Sequence, residues 1–282
     1  MCDHDPRPAV ACSVRVRSCD ALGDAGANVF RIALERTPVA REGQAGRRDT
    51  PDGAIAPACV PAPMAGQFFM LRANPSGVLL GRPISVYAHD DSTISFLVLR
   101  KGRGTAELCA LQAGSLVDLV GPVGNSFPEP GSLFPESGPA PRIAIIGGGI
   151  GVAPVAGFSR NLKRGSFDFY ASFRSTPYGL EGIAERANRL EITTEDGSAG
   201  VRGMLPAVFE ASEYDLVYAC GPTAMLRYVK DATVSVPRVF LSLEQRMACG
   251  AGACLGCTVR TVSGNRRCCV DGPVFDAKEV LL

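Results

Sequence analysis

The sequence predicts a three-part β and α/β protein: an N-terminal antiparallel β-barrel, a doubly wound parallel α/β domain, and a small cysteine-bearing C-terminal segment. Three observations predict it. Short apolar–polar runs separated by Gly, Pro, Asn and Asp fill the first part with little helix between them. Strand and helix patterns then alternate from residue 141, the mark of a parallel sheet. The remainder carries Cys249, Cys254, Cys257 and the adjacent Cys268 and Cys269. The boundaries follow as 1–140, 141–242 and 243–282.

In the barrel region the alternating runs lie at 13–17, 28–35, 67–72, 83–88, 93–99 and 115–120. Residues 37–63 interrupt them with a stretch rich in Pro, Gly, Ala and Arg that has no usable periodicity, and this reads as an insertion between strands. In the second region the strand 142–146 enters Gly147-Gly148-Gly149-Ile150-Gly151-Val152-Ala153-Pro154, and a helical pattern continues to residue 163. Strands follow at 167–173, 190–194 and 215–219, the last ending at Cys220-Gly221-Pro222, then a helix at 223–231 and a strand at 238–241. The last region holds a cysteine loop and a small hairpin.

Two stretches carry phosphate-binding chemistry. Arg82, Pro83, Ile84 and Ser85 open one barrel strand, and Gly104 and Thr105 open a helix-like stretch at 106–111. Arg is the fork-shaped partner of phosphate, and a helix start offers free N–H groups to an anion. Together they would clamp a pyrophosphate, with the Ser85 hydroxyl offered to a ring nitrogen. Taken alone, an Arg-Pro at a strand start is more often an edge feature. Gly149-x-Gly151-x-x-Pro154 follows a strand and opens a helix, where glycines admit a dinucleotide phosphate. Pro154 replaces the last Gly of the usual fingerprint. Cys220, Gly221 and Pro222 end a later strand on the side where open α/β sheets bind ligands, although Cys220 alone reads as a core thiol. Arg174 and Ser175 end the second strand and suit a ribose, a 2′-phosphate or plain solvent.

Cys249-x4-Cys254-x2-Cys257 with a distant fourth Cys is the plant-type spacing for a [2Fe-2S] cluster. Gly250, Gly252 and Gly256 allow positive φ and close backbone approach, so that N–H groups reach the sulfurs. Structural zinc is the competing reading, but it favours paired Cys-x2-Cys units and this loop has one. Cys268 and Cys269 point to opposite sides on an extended chain, so one of them faces the cluster. A Rieske centre needs two histidines, and only His4 and His89 exist, far from this loop.

Composition narrows the class further. Hydrophobic residues make up 46% of 282, and the net charge of +1 gives no basis for nucleic-acid or membrane binding. No apolar run reaches the ~18 residues of a membrane span. The N-terminal stretch lacks a signal-peptide pattern. Of eleven cysteines, four with a cluster role leave an odd remainder, which points to a reducing cytoplasm.

Arg-Pro-x-Ser, Gly-Thr, Gly-x-Gly-x-x-Pro and Cys-Gly-Pro, in this order, resemble the ferredoxin–NADP reductase superfamily. The tail, Ser242-Leu243-Glu244-Gln245-Arg246-Met247-Ala248-Cys249-Gly250 and Cys269-Val270-Asp271-Gly272-Pro273-Val274-Phe275, closely resembles the electron-transfer subunits of dihydroorotate dehydrogenase B. Gly121-Pro122-Val123-Gly124-Asn125-Ser126-Phe127 is similar to a segment of that family too. The resemblance covers nearly the whole chain outside the first ten residues and the 37–63 insertion. It implies FAD at Arg82, Pro83, Ile84, Ser85, Gly104 and Thr105, with backbone contacts from Leu97, Val98 and Leu99. It implies NAD at Gly149, Gly151, Pro154, Cys220, Gly221 and Pro222. It makes Cys269, immediately before Val-Asp-Gly-Pro, the fourth cluster ligand. The chain departs from the superfamily at Ile84, where Tyr is usual. Arg100 and Lys101 stand where the family often has Arg near Leu99.

The resemblance also implies a partner, a catalytic subunit carrying FMN that oxidises dihydroorotate, in a heterotetramer of two of each. Electrons would pass from that FMN through the cluster to FAD and leave as NADH. A flavin fits between a two-electron and a one-electron centre, and no catalytic acid or base is needed in this chain. A cluster segment of roughly 35 residues is too short to bury a cluster alone, which argues for a docked partner. The alternative is a stand-alone NAD(P)H-dependent reductase feeding a ferredoxin, an oxygenase or a hydrogenase-type partner.

Overall fold

The structure, a computed structural model, describes residues 9–23, 28–39, 59–135 and 137–282. Most of the 37–63 insertion, residues 40–58, lies outside the described residues. Strands β1 (Val10–Leu22), β2 (Val29–Pro38), β3 (Phe68–Asn74), β4 (Arg82–His89), β5 (Thr93–Leu99) and β6 (Leu116–Val123) close a barrel in the order β1-β2-β5-β4-β3-β6. Every neighbouring pair is antiparallel. Alternation sends Val14, Val16, Ile32, Leu34, Phe69, Leu71, Ile94, Phe96, Val117 and Leu119 into the interior. Helix α1 (Arg103–Cys109) joins β5 to β6 and adds Leu108 and Cys109 to that core. It begins three residues before the expected 106–111 because Thr105 folds its hydroxyl back onto the Lys101 and Gly102 N–H groups, at 2.9 and 3.1 Å. A short helix α2 (Pro130–Leu133) leads out of the barrel.

The second sheet has the order β10-β9-β8-β7-β11-β12-β15. Its parallel strands are β7 (Ile143–Gly148), β8 (Phe167–Phe173), β9 (Arg189–Thr194), β10 (Val201–Arg202), β11 (Leu216–Cys220) and β12 (Arg238–Ser242). Helices α3 (Val152–Ser159) and α4 (Thr223–Ala232) cover opposite faces. Ile143 and Ile145 pack with Val155 and Phe158 of α3, while Ala144 and Ile146 share a core with Leu226 and Val229 of α4. Helix α3 stops at Ser159, four residues short of the expected 163.

The sheet is mixed rather than wholly parallel. β15 (Val274–Asp276), from the cysteine segment, pairs antiparallel with β12 through Phe240↔Asp276, Leu241↔Phe275 and Ser242↔Val274. The hairpin β13 (Thr258–Thr261) and β14 (Gly264–Arg267) stands beside it. One core therefore runs across all three parts. It contains Phe68, Met70 and Val123 of the barrel, Val217 and Leu241 of the sheet, and Cys257, Cys268, Cys269 and Phe275 of the tail.

The barrel and sheet also meet through an aromatic group. Tyr218 meets Phe127 and Phe158 with ring centroids 5.7 and 4.6 Å apart, in the edge-to-face geometry that adds about 0.5–1.5 kcal/mol per pair. Gly157 of α3 lies so close to β4 that an added Cβ would sit 2.8 Å from the Tyr87 carbonyl. Arg160 donates to that carbonyl at 2.6 Å and lies over the Tyr87 ring.

Candidate functional site

The barrel has an open seam. β4 and β5 pair only from Val86↔Phe96 to His89↔Ile94. Residues 82–85 pair only with β3, and Leu97, Val98 and Leu99 only with β2. The facing sides of residues 82–85 and 97–99 thus lack ladder partners, and backbone polar groups left this way call for a ligand or water. Leu97 and Val98 are buried, and Leu99 opens onto the neighbouring cavity. The Arg82 guanidinium lies against α1: a Cβ on Gly104 would sit 2.7 Å from Arg82 Nε. The first intrahelical bond of α1 is Ala106 N–H to Gly102 O, so the N–H groups of Gly104 and Thr105 remain unused by the helix beside that guanidinium. Arg82 itself donates to Leu80 O at 2.8 Å and Gly81 O at 3.2 Å. Met70 and Phe68 stand opposite Pro83 and Ser85 in the β3–β4 register, so these four share one face, while Ile84 packs toward the barrel interior. The seam and its cationic end fit a flavin dinucleotide.

A cavity of about 1120 Å³ lies between this seam and the C-terminal edge of the second sheet. Gly148, Gly149, Gly221 and Pro222 line it, together with Leu99, Lys101, Tyr178 and Glu244. The two turns interlock. A Cβ on Gly151 would lie 2.5 Å from the Cys220 carbonyl, and one on Gly148 2.5 Å from Met225 Sδ. Gly149 has φ of 52°, a left-handed conformation that glycine adopts without strain. Pro154 is buried inside α3 and lies outside the cavity lining. Cys220 is buried, and burial followed by the nearby Glu244 charge raises its thiol pKa. Glu244 is accessible from within the cavity yet hemmed in by protein. The lost hydration raises its carboxyl, and Lys101 partly offsets this. The sequence marked Lys101 and Glu244 only as members of motifs, because their meeting across the cavity depends on the packing of barrel on sheet.

The cysteines fall into two pairs. Cys257 Sγ and Cys269 Sγ are 3.3 Å apart and both buried. Cys249 accepts the Ala251 N–H at 3.3 Å, and that bond, followed by others from Cys254, lowers its thiol to about 6. Desolvation, then Cys257, raises Cys269 to about 11. Cys268 turns the other way: it is fully buried and donates to Leu243 O at 3.3 Å. Among the described residues no three His, Cys, Asp or Glu side chains are gathered for a single ion. Two pairs of thiolates suit a binuclear cluster better than one zinc. Gly250 and Gly252 have φ of 67° and 77°, but the third left-handed residue of the loop is Leu255, at 57°, not Gly256. Leu255 is 61% exposed and Cys254 is exposed beside it.

Contacts from the barrel side hold the cysteine segment. Gly250 packs on Met70, where a Cβ would lie 2.6 Å from Met70 Cγ. Asn125 clasps the tail. Its Nδ2 donates to Val274 O at 2.8 Å and Asp271 O at 3.2 Å, and its Oδ1 accepts the Val274 N–H at 3.0 Å. A Cβ on Gly124 would lie 2.6 Å from Pro273 Cδ, so the 121–127 and 269–275 segments are complementary surfaces.

A barrel with an open seam, joined to a nucleotide-type sheet and a four-cysteine loop, defines a reductase-type electron-transfer protein. Solved structures agree on the fold. The structure of an NADH-dependent reduced ferredoxin-NADP oxidoreductase superposes with a TM-score of 0.70 at 20% identity, covering 95% of this chain and 89% of that one. A ferredoxin reductase of carbazole 1,9a-dioxygenase superposes at 0.59 with 18% identity, covering 82% and 67%. Residues 244–281 match the iron-sulfur cluster binding domain of dihydroorotate dehydrogenase B. The dihydroorotate dehydrogenase B (NAD(+)) electron transfer subunit of Clostridium acetobutylicum is 42% identical over 218 residues, which are 77% of this chain and 86% of the relative. That of Clostridium perfringens is 38% identical over 224 residues, again 77% and 86%. The chain belongs to this family of oxidoreductase electron transfer subunits.

Proposed function

We propose that this chain carries electrons from the FMN of a dihydroorotate-oxidising catalytic subunit to NAD+, by way of a [2Fe-2S] cluster and FAD that it holds itself. The observation that carries the reading is the shared core: the cysteine loop packs on the same barrel face, at Met70, that presents Pro83 and Ser85 beside the open seam. Arg82, with the free N–H groups of Gly104 and Thr105, would hold the FAD pyrophosphate, while Pro83, Ser85 and the backbones of Ile84 and residues 97–99 would line its ring; the Ile84 side chain points away into the barrel core. Gly149, Gly151, Cys220, Gly221 and Pro222 would shape the nicotinamide end of the cavity, and Pro154 would act indirectly by fixing the start of α3. Cys249, Cys254, Cys257 and Cys269 would hold the cluster. When bound, a flavin exchanges electrons both as hydride and singly, which is what joins a nicotinamide to an iron–sulfur centre.

The chain's own residues bind, orient and exclude water; none is assigned as a catalytic acid or base. Functionally the chain divides at 140 and 242 into flavin, nucleotide and cluster parts, working in the cytoplasm of the cell. Among the described residues no helix is long and apolar enough to cross a membrane. The catalytic subunit, in an assembly of two of each, would cover the face around Cys254 and Leu255, which are exposed in this chain.

The test measures two rates in a Cys254→Ser variant reconstituted with its partner. NADH-to-dye transfer, which needs only this chain's flavin, is expected to survive. Dihydroorotate-to-NAD+ transfer is expected to disappear. Equal loss of both rates would remove the cluster from the route, and dihydroorotate oxidation by the isolated chain would overturn the subunit reading.

A further inference from the structure

The two halves of the cysteine segment meet through an arginine that the route above does not use. Arg267 ends β14 and stands two residues before Cys269. It closes the turn that carries Cys268 and Cys269. The Asp271 N–H donates to Arg267 O at 2.7 Å, and Asp271 Oδ2 accepts the Arg267 N–H at 2.7 Å. The side chain then leaves this turn. Its Nη1 donates to Gly252 O at 3.2 Å, in the middle of the Cys249–Cys257 loop, while Nε lies 3.7 Å from Asp271 Oδ2. Arg246, Arg260 and Arg266, the other arginines of this segment, are exposed, whereas Arg267 is half-buried.

Gly252 is shaped for this contact. It is buried and leaves no room for a side chain, since a Cβ would lie 2.6 Å from Val270 Cγ2 and 3.2 Å from Arg267 Nη1. The guanidinium therefore meets bare backbone. The Gly252 carbonyl belongs to the same peptide group as the Ala253 N–H, and that N–H is one of the backbone donors to Cys249. The peptide group before it carries the Gly252 N–H, a backbone donor to Cys269. A cation on the carbonyl end of a peptide group strengthens the donor at its other end, because hydrogen bonds in a chain polarise one another.

A one-electron centre gains a negative charge when it is reduced. The potential of an iron–sulfur cluster follows the hydrogen bonds to its sulfurs and the net charge around it, and residues behind the ligands both orient and tune them. We infer that Arg267 is a positioning residue for electron transfer: by holding the Gly252 carbonyl it fixes the Cys249–Cys257 loop against the Cys269 turn and, through the 252–253 peptide group, raises the reduction potential of the cluster. Asp271 sets how much of that charge is felt, because it pairs with the same guanidinium. The two side chains are 40% and 25% exposed, so water screens part of the effect and its size is moderate. Arg267 itself gives up no electron and no proton. This rests on the reading that the four cysteines hold a [2Fe-2S] cluster.

The experiment uses the full chain, purified with its bound cofactors. Iron and sulfide are counted first. The midpoint potential of the cluster is then read from the electron paramagnetic resonance of its reduced form during a redox titration. Arg267→Gln keeps a donor for Gly252 O and removes the charge. It is expected to retain iron while the equilibrium constant for reduction falls at least threefold, about 28 mV at 59 mV per tenfold. Arg267→Lys keeps the charge and is expected to stay within twofold of the native chain. Asp271→Asn leaves the guanidinium without its counter-charge and is expected to shift the potential upward, a change of sign that a merely structural role would not produce. A potential unchanged within 1.5-fold in Arg267→Gln, a Lys variant shifted as far as the Gln one, or a downward shift in Asp271→Asn overturns the Arg267 assignment and leaves the cluster standing. Loss of iron from Arg267→Gln and Arg267→Lys alike would make the arginine a folding residue and overturns the assignment too. A native chain without two irons and two sulfides overturns the cluster reading and this inference with it.

Discussion

Replacing Asn125 with Ala removes the side-chain clasp between barrel and cysteine segment and keeps the backbone bond from residue 125 N–H to Gly272 O. Three hydrogen bonds are lost, two of good length at 2.8 and 3.0 Å and one longer at 3.2 Å. At a net worth of about 1 kcal/mol each, the loss is about 2–3 kcal/mol. The partners left behind are backbone groups of half-buried Asp271 and buried Val274, so water recovers only part of that. If the loss falls on local opening of the tail rather than on global unfolding, exchange accelerates tenfold per 1.4 kcal/mol, or about 30- to 140-fold. The assay is amide hydrogen exchange followed by mass spectrometry over peptides spanning 270–276, compared with peptides in β7 and β8 as internal controls. The Val274 amide, which donates to Asn125 Oδ1, reports most directly. In Asn125→Asp that acceptor survives while both donors vanish, so Val274 should remain better protected than in the Ala variant. Acceleration below threefold across 270–276 in Asn125→Ala would refute the side-chain clasp as an energetic link, leaving Gly250–Met70, the β12–β15 pairing and the backbone bonds from Asn125 N–H to Gly272 O and Leu243 N–H to Pro273 O as what holds the tail.

Cys269→Ser is expected to lose bound iron, and Cys268→Ser to retain it with only modest destabilisation, since a serine there keeps a donor for Leu243 O; iron and sulfide analysis decides, and the reverse outcome would move the fourth ligand to Cys268. Arg82→Ala should weaken FAD binding by about 2–3 kcal/mol, the worth of one or two charge-assisted hydrogen bonds, while iron content is kept. Normal flavin retention in that variant would remove Arg82 from the pyrophosphate clamp. Deleting residues 41–58 should spare both cofactors and NADH oxidation, because that stretch lacks a core-forming pattern; loss of soluble protein would show that it packs as part of the fold.

Much of this architecture was legible because it rests on local pattern. β5 and β8 have the bounds read from the sequence, 93–99 and 167–173, since their apolar runs are bounded by turn residues on both sides. β1 was read as 13–17 but runs from Val10 to Leu22, because both its edges are paired, with β2 and β6, and pairing extends a strand beyond its apolar residues. β15 left no mark of its own. Val274–Asp276 is extended because β12 offers a free edge, a contact between segments some thirty residues apart. The glycine pattern of the cysteine loop was legible in part: Gly250 and Gly252 take left-handed φ, but the turn before Cys257 is made by exposed Leu255. In the candidate site, the strand-end motifs were visible as motifs. What the sequence did not contain was their mutual placement. The opening of the β4–β5 seam and the bond from Asn125 to Val274 across 149 positions each depend on strand order and register.

The stitching of β15 onto β12 and of the tail onto Asn125 sets an order of maturation. A chain emerging from the ribosome folds from its N-terminal end. The barrel and most of the sheet precede Cys249 to Cys269 in the chain, and once folded they form a template with a vacant strand edge and a waiting amide. The cysteines have no core of their own to fold around, so the thiols are brought into register by docking on that template. On this order any iron–sulfur centre would be loaded late, onto a segment already positioned by the body it serves. Defects in Met70 or Asn125 should consequently show themselves first as incomplete cluster loading, in a protein whose barrel and sheet are otherwise intact.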